Sequence, residues 1–424
     1  MSRQPGPCIA VAPAPRDRPK PYHIEVMTPL FGGGVKPGEC DAAVTLIRPT
    51  SIRGHLRFWW RATRGAHYAS ADALHEAEGA IWGTVDTPSR VRLYVATRNT
   101  SKGTAEVCAT YPEGKRFPAV NPDYPAYAVF PFQGGKDGDP SPAEARRNVS
   151  FQLALDYDGQ HQKDVHVALW AWLNFGGLGA RTRRGCGALY CRDFAPPDGT
   201  PATVRQWVQE SFKKYAIKLP KDRQDWPTMW SFPIVGRHPE PPMAAWRTAV
   251  DLLKVFRQGE GIGRNPGHTR TKPGRSRWPE PDSLRTLTGL SEPRHMGTQT
   301  VAEPAFPRAE FGLPIVFHFT NNDPADAANN CELYPKDGNR MASPVILRPL
   351  AVGDGTTAVP MVLLLGVEPV HDVELRKIGV SPTIGDSQIR RLDLATYANS
   401  PMKGTADGSA LGAFLKFAGK ALST

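Results

Sequence analysis

The order of periodic segments in the first 200 residues limits the folds open to this chain. Alternating apolar and polar residues predict strands at 22–27, 90–97, 149–157 and 188–194. Helical spacing predicts one helix capped by Thr50 or Ser51 and running to about Arg64, and another over 163–174. Strand, helix, strand, strand, helix, strand is the order of a ferredoxin-like, RRM-like βαββαβ domain. The sequence therefore predicts one such domain over 21–200.

The second half of the chain has a less regular pattern. Helices are predicted at 203–216, 243–258 and 410–422, and strands at 314–319, 343–348 and 360–367. This alternation predicts a second α+β domain over 201–424, interrupted by a basic loop at 259–281. In the first half, 71–80 is predicted as a further helix and 126–130 as strand-like. Residues 1–20, rich in Pro, Arg and Ala, are expected to form a mobile tail.

The net charge and the spacing of the cysteines indicate the kind of partner and the cellular compartment to expect. Lysine and arginine number 52 against 41 aspartates and glutamates, and the net charge of +11 favours a polyanionic partner, most often nucleic acid. No run approaches the roughly 18 apolar residues that span a bilayer. The six cysteines lack CxxC spacing, so a reduced cytoplasmic protein with free thiols is expected.

A row of arginines follows one face of the first predicted helix. Arg53, Arg57, Arg61 and Arg64, called here the arginine stripe, have the spacing that aligns side chains along a helix. No acidic residue occurs between Ala42 and Ala71 to neutralise them. Phosphates would satisfy such a row, because guanidinium groups bind phosphate oxygens bidentately. A solvated basic face with its aromatic residues in the core is the alternative.

The glycine-rich segment, 175–187, carries the strongest signal. Its five glycines surround three arginines, and no acid occurs between Val165 and Arg192. The candidate RNA contacts here are Gly176, Gly177, Gly179, Arg181, Arg183 and Arg184. Glycines can expose backbone N–H groups and arginines add charge, a combination suited to a nucleic-acid backbone. A flexible surface loop is the alternative.

The basic loop adds a third group of candidates. Arg270, Lys272 and Arg275 are the candidate contacts, and Trp278 and His268 are candidates for stacking on bases. A disordered basic loop is an equally good interpretation. It would order only with a partner present.

Catalytic patterns are missing from the sequence. It contains no HExxH, no GxSxG and no pair of Cys or His residues at metal-binding spacing. His55, among the arginines, is a candidate general base at a ribose 2′-OH. Such a histidine is more often a phosphate contact or a packed side chain, so His55 is grouped with the RNA contacts. No catalytic residue, metal or cofactor is assigned.

Several motifs together resemble the CRISPR RAMP superfamily. The N-terminal ones are Thr28-Pro-Leu-Phe-Gly-Gly-Gly34, Arg48-Pro-Thr-Ser-Ile-Arg-Gly-His-Leu-Arg-Phe-Trp-Trp-Arg61 and Ile81-Trp-Gly-Thr84. The glycine-rich segment looks like the signature loop of that superfamily. Phe58-Trp-Trp60, Phe311-Gly-Leu-Pro-Ile315 and Asn339-Arg-Met-Ala-Ser-Pro-Val345 are similar to the first subunit of type III-B (Cmr) effector complexes.

The resemblance implies a fold and a function. It implies an α+β chain of two ferredoxin-like domains with long insertions, binding near the crRNA 3′ end beside other RAMP subunits and the target RNA. It also implies that target cleavage belongs to a different subunit. By resemblance, the arginine stripe and the glycine-rich segment contact RNA, although the stripe could instead bind a neighbouring subunit. The basic loop matches no motif of the family.

Two other functions remain open from the residues. One is a RAMP-type, metal-independent endoribonuclease that processes CRISPR repeats with His55 as acid or base. The other is a basic scaffold that contacts only protein.

Overall fold

The computed structural model describes most of the chain. The described residues are 19–32, 46–113, 118–135, 140–222, 224–267, 274–289, 304–317, 331–367, 372–376, 383–384, 399–403, 405 and 408–423. The expected tail lies almost wholly outside them, and so do His268, Arg270 and Lys272. Within these ranges no helix is long and apolar enough to cross a bilayer.

Most predicted segments contain a helix or a strand, but the strand predicted at 188–194 is wrong beyond Tyr190, because Arg192–Phe194 forms a 3₁₀ helix. The bounds of the elements follow in chain order. The strands are β1 (Tyr22–Val26), β2 (Leu30–Phe31), β3 (Arg92–Val107), β4 (Ala109–Thr110), β5 (Ala119–Val120), β6 (Glu144–Asp156), β7 (Leu189–Tyr190), β8 (Thr228–Met229), β9 (Ile234–Val235), β10 (Ile315–Val316), β11 (Glu332–Pro335), β12 (Val345–Val352), β13 (Thr357–Gly366), β14 (Val373–Arg376) and β15 (Thr383–Ile384). The α-helices are α1 (Pro49–Arg64), α2 (Ala71–Trp82), α3 (Ala126–Val129), α4 (Gln162–Phe175), α5 (Pro201–Lys214), α6 (Pro242–Gln258), α7 (Glu280–Thr288) and α8 (Ala410–Ser423).

The first sheet is antiparallel and has the order β7-β1-β6-β3. Ile24 of β1 lies opposite Phe151 of β6, and β2 continues the same edge of β6. Helix α1 precedes β3 and helix α4 precedes β7, so the βαββαβ order predicted for this half is present. The α+β class is confirmed by these mixed elements.

The second half forms two further antiparallel sheets. In one, β13 lies between β12 and the short strands β8 and β9, and α6 packs against β12 and β13. Of its four strands, β8 and β9 have only two residues each and both pair with β13, so a second ferredoxin-like domain stays a prediction. The other sheet, β10-β11-β14-β15, has its own apolar cluster around Leu333 and Leu375.

Proline positions explain two differences from the predicted elements. Residues 126–130, predicted as strand-like, form α3 and the start of a 3₁₀ helix at Phe130–Phe132. Pro125 precedes this turn, and its carbonyl accepts hydrogen bonds from the N–H groups of Ala128 and Val129. Helix α1 begins at Pro49 without a side-chain cap from Thr50 or Ser51. The fixed φ of proline suits the first helical position.

The hydrophobic core is continuous across residue 200. One large cluster contains Trp59 and Trp172 of the first half with Met361 of the second. Another joins Phe31 and Trp246. The division at residue 200 therefore stays a prediction about domains, since packing crosses it.

The four described cysteines are buried and free, as the sequence analysis expects. They are Cys108, Cys186, Cys191 and Cys331. Burial raises the pKa of Cys108, Cys186 and Cys191 to about 12, so these thiols stay protonated at pH 7.

Arg348, on β12, joins the two halves from a fully buried position. Its guanidinium donates hydrogen bonds to the carbonyl oxygens of Gly176, of Leu189 at 2.9 Å and of its neighbour Pro349 at 2.9 Å. Desolvation lowers the pKa of Arg348 to about 9, so the group is still charged at pH 7. The described residues offer it no carboxylate partner. The positive charge of Arg348 is therefore stabilised by these three carbonyl oxygens and not by a counter-ion among the described residues.

Replacing Arg348 tests this connection. We expect Arg348→Met to lower the free energy of unfolding by about 2–4 kcal/mol, because two carbonyls from the other half lose a charged donor. Arg348→Lys should also be destabilised, since one ammonium cannot reproduce the geometry of the guanidinium fork. Denaturant unfolding at pH 7 measures both. Arg92→Met is the control, because Arg92 is exposed and its surface ion pair should contribute at most about 1 kcal/mol. Equal unfolding free energies for Arg348→Met and Arg92→Met would contradict the assignment.

Candidate nucleic-acid interface

The glycine-rich segment is buried at both ends, 175–178 and 185–187, and exposed or half-buried between them. Its backbone is held by hydrogen bonds from Leu178 N to Gly187 O and from Gly187 N to Pro29 O. Gly185 has φ +77°, and a Cβ there would lie 2.6 Å from the Trp246 ring. These contacts differ from the flexible surface loop considered as the alternative. The N–H groups of Leu178 and Gly187 therefore already have partners, although the sequence predicted that N–H groups of this segment bind phosphate.

The three arginines of this segment donate to backbone carbonyls. Arg181 Nε lies 2.9 Å from Ala128 O, Arg183 Nη1 2.5 Å from Ser343 O and Arg184 Nη1 2.8 Å from Val345 O. Burial lowers the pKa of each, that of Arg184 to about 10. All three remain protonated at pH 7. Within the described chain none pairs with a carboxylate, so their charges stay uncompensated.

A cleft of about 2530 Å³ opens beside this segment. We call it the basic cleft, because seven of its eight charged lining residues are cations: Arg48, Arg181, Arg183, Arg184, Lys254, Arg257 and Arg340. The only acidic residue among its described lining residues is Glu144, which already pairs with Arg146 at 3.0 Å. The charge of the cleft therefore favours a polyanion.

Two of these cations keep donors available to a ligand. Arg48 is half-buried and Arg340 is exposed, and neither has a hydrogen-bond or ion-pair partner among the described residues. Arg257, in contrast, donates to the Tyr127 hydroxyl at 2.6 Å, and its Nε is buried with no partner in the described part of the chain. Arg48 and Arg340 can bind a phosphate without first breaking an ion pair.

The arginine stripe faces away from the basic cleft. An α-helix turns by about 100° per residue, so Arg48, Ser51 and His55 lie roughly 150° around α1 from the centre of the stripe. These three residues line the cleft, and the stripe does not.

Acidic side chains neutralise most of the stripe, so the expectation that nothing does so is wrong. Arg57 Nε lies 2.6 Å and Arg61 Nη1 2.5 Å from Glu78 Oε1, on α2. Arg64 Nε lies 2.8 Å from Asp164 Oδ1, on α4. Packing brings these acids to α1 from outside the acid-free stretch that the sequence shows. Arg53 is exposed and has no partner in the described part of the chain.

His55 lines the cleft in a setting that favours the neutral imidazole. Its ring stacks on Trp172 with centroids 6.2 Å apart, and burial lowers its pKa. The pocket around it also includes Phe58, Thr182 and Arg183, but no second histidine and no carboxylate among the residues that the structure describes.

The basic loop contributes less than its sequence suggests. Arg275 forms a 2.6 Å ion pair with Asp282. Trp278 is 1% exposed and donates to Arg257 O at 3.0 Å, so the expectation that it stacks on bases is wrong. Its polar neighbours hid that burial from the sequence pattern.

Sequence reasoning missed Arg48, Lys254 and Arg340 as lining residues. Arg340 belongs to the Asn339–Val345 motif that resembles the family, and Arg48 opens the motif of α1. Those two motifs were a usable signal, whereas Lys254 lies on an ordinary amphipathic helix.

Comparison with known proteins finds similarity over part of the chain. Residues 23–190 match the sequence model of the RAMP superfamily. A Pyrococcus furiosus protein named CRISPR system Cmr subunit Cmr1-2 is 27% identical over 188 residues, which are 40% of this chain and 92% of that protein. Cmr1-1 of the same organism is 28% identical over 148 residues, 34% of this chain and 40% of that protein.

Solved structures are also similar. The apo crystal structure of Cmr1 from Pyrococcus furiosus aligns with TM-score 0.46 and 16% identity, covering 82% of this chain and 88% of that one. A chain of a cryo-EM structure of the type III-B Cmr-beta complex bound to cognate target RNA aligns with TM-score 0.44 and 12% identity, covering 82% of this chain and 95% of that one. The motifs, the family match and the two curated relatives agree: residues 23–190 match the RAMP superfamily, and the chain is similar to the two Cmr1 subunits.

Proposed function

We propose that this chain is a non-catalytic RNA-binding RAMP subunit of a type III-B CRISPR (Cmr) interference complex, acting in the cytoplasm in antiviral defence. The observation that carries the proposal is the basic cleft, with seven cationic side chains and one carboxylate that is already paired. The RAMP domain and the names of the curated relatives support the choice of complex.

The cleft combines two kinds of positive charge. Arg181, Arg183 and Arg184 are fixed by carbonyls and supply charge at set positions. Arg48 and Arg340, which have no partner among the described residues, can form bidentate hydrogen bonds with phosphate oxygens. Helix α1 has no acid in its first turn, and its N-terminal dipole adds partial positive charge at the same wall.

Such a site binds the phosphates of the RNA backbone and does not distinguish between base sequences. We place the crRNA near its 3′ end in this cleft, with target RNA and other RAMP subunits as neighbours. The glycine-rich segment and the start of α1 face the RNA in this arrangement. Arg57, Arg61 and Arg64 stabilise the fold through their ion pairs with Glu78 and Asp164. Arg53 is available to contact a neighbouring subunit.

Removing the free cations tests the site. We expect Arg48→Ala with Arg340→Ala to weaken binding of single-stranded RNA about tenfold or more, because two charge-assisted phosphate contacts are lost. The slope of log affinity against log salt should become shallower by roughly 1 to 2. Filter binding over a salt series measures both quantities.

A matched double variant serves as the control. Arg53→Ala with Arg92→Ala removes the same charge from exposed positions outside the cleft. It should keep nearly the affinity of the wild type. Equal losses in the two double variants would show that net charge, and not the cleft, governs binding.

An endoribonuclease that processes CRISPR repeats is the second candidate. It rests on one observation: His55 lines the cleft, and its lowered pKa leaves a neutral imidazole that can accept a proton at pH 7. General acid–base cleavage also needs a group to protonate the leaving oxygen. The described pocket of His55 has no carboxylate or second histidine for that step.

A cleavage assay separates the two functions. We expect end-labelled repeat RNA to stay intact with the wild type and with His55→Ala alike, in buffer containing a chelator. Denaturing electrophoresis over a time course measures the intact fraction. Metal-independent cleavage by the wild type that is lost in His55→Ala would establish the nuclease instead.

A further inference from the structure

Phe130 is an exposed aromatic ring on the wall of the basic cleft. Its exposed fraction is 71%, against 46% for Tyr94 and 45% for Phe232, the other strongly exposed aromatic residues in the described ranges. Its neighbours Val129 and Phe132 are buried at 0% and 7%. The ring therefore projects from a packed segment and not from a loose loop.

The backbone at Phe130 is fixed by contacts on both sides. Phe132 stacks on Phe31 with centroids 4.3 Å apart and planes 13° from parallel. Before Phe130, Ala128 O accepts a hydrogen bond from Arg181, and the Tyr127 hydroxyl accepts one from Arg257. Two cations of the cleft are thus bonded to residues two and three positions from the exposed ring.

No aromatic ring among the described residues stacks on Phe130. An apolar ring held in water beside uncompensated cations is suited to a ligand with an aromatic face and a negative charge. A nucleotide of a single strand has both, because its base can stack while its phosphate meets an arginine. Bases in a duplex are stacked on one another and do not present their faces.

We propose that the basic cleft accepts a single-stranded segment of RNA and that Phe130 stacks on one of its bases. This inference rests on the proposed function, since it assigns a base contact within the same site. It adds a sequence-tolerant contact to the phosphate contacts, because every base has an aromatic face.

The first measurement is the affinity for a single-stranded RNA of about ten nucleotides, within the length that one such groove holds. Phe130→Ala should weaken binding about 5- to 100-fold, and Phe130→Trp should retain it. Tyr94→Ala removes an exposed aromatic ring outside the cleft and should leave the affinity unchanged. The same RNA annealed to its complement should bind Phe130→Ala and the wild type equally.

A fluorescent base gives an independent reading of stacking. 2-Aminopurine placed along the RNA should be quenched at one position by the wild-type chain, and this quenching should disappear with Phe130→Ala. Because Phe130 is exposed, the variant should unfold at the same denaturant concentration as the wild type, which circular dichroism measures.

The outcomes separate the two proposals. If Phe130→Ala binds RNA as the wild type does while Arg48→Ala with Arg340→Ala is weakened, the stacking contact is wrong and the proposed function stands. Loss of assembly with partner subunits at unchanged RNA affinity would make the ring a protein contact and would also overturn the inference. If the wild type binds no RNA, both proposals fail.

Discussion

Hydrogen bonds from arginines to backbone carbonyls link the two halves of this molecule beside their shared apolar core. Arg348 reaches from β12 to the carbonyls of Gly176 and Leu189, while Arg183 and Arg184 reach from the glycine-rich segment to Ser343 and Val345. Glycines make the approach possible, since a Cβ at Gly185 would overlap Trp246. The junction forms part of the wall of the basic cleft, which Arg183, Arg184 and Ser343 line.

Because their partners are carbonyls and not carboxylates, these buried arginines keep an uncancelled positive charge. A carbonyl satisfies the donor geometry of a guanidinium but does not cancel its charge, so each arginine keeps its positive field. Burial then costs free energy, which is visible in the lowered pKa values of Arg184 and Arg348. The continuous apolar core on both sides of the junction offsets that cost. One set of contacts thereby joins the halves and makes the cleft basic.

Local periodicity predicted most of the first half but not the partners of its charged residues. The segments 22–27 and 163–174 became β1 and α4 almost residue for residue, because their patterns report which side faces the core. Of the sheet β10-β11-β14-β15, only β10 lies in a predicted strand, at 314–319, since strands of two to four residues are too short to show alternation. The roles of Arg57 and Trp278 also depended on residues that only the tertiary fold brings near.

The arginine stripe lies along one face of α1 as predicted, but three of its four side chains pair with acidic residues of the same chain. Arg57 and Arg61 share Glu78, which is 3% exposed, and Arg64 reaches Asp164 at the start of α4. These pairs fix the rotation of α1 against α2 and α4. Because the helix is rigid, the same rotation turns Arg48, Ser51 and His55 toward the cleft. The arginine stripe, which the sequence predicted to bind RNA, therefore contributes indirectly. Its ion pairs help to orient the opposite face of α1 toward the cleft.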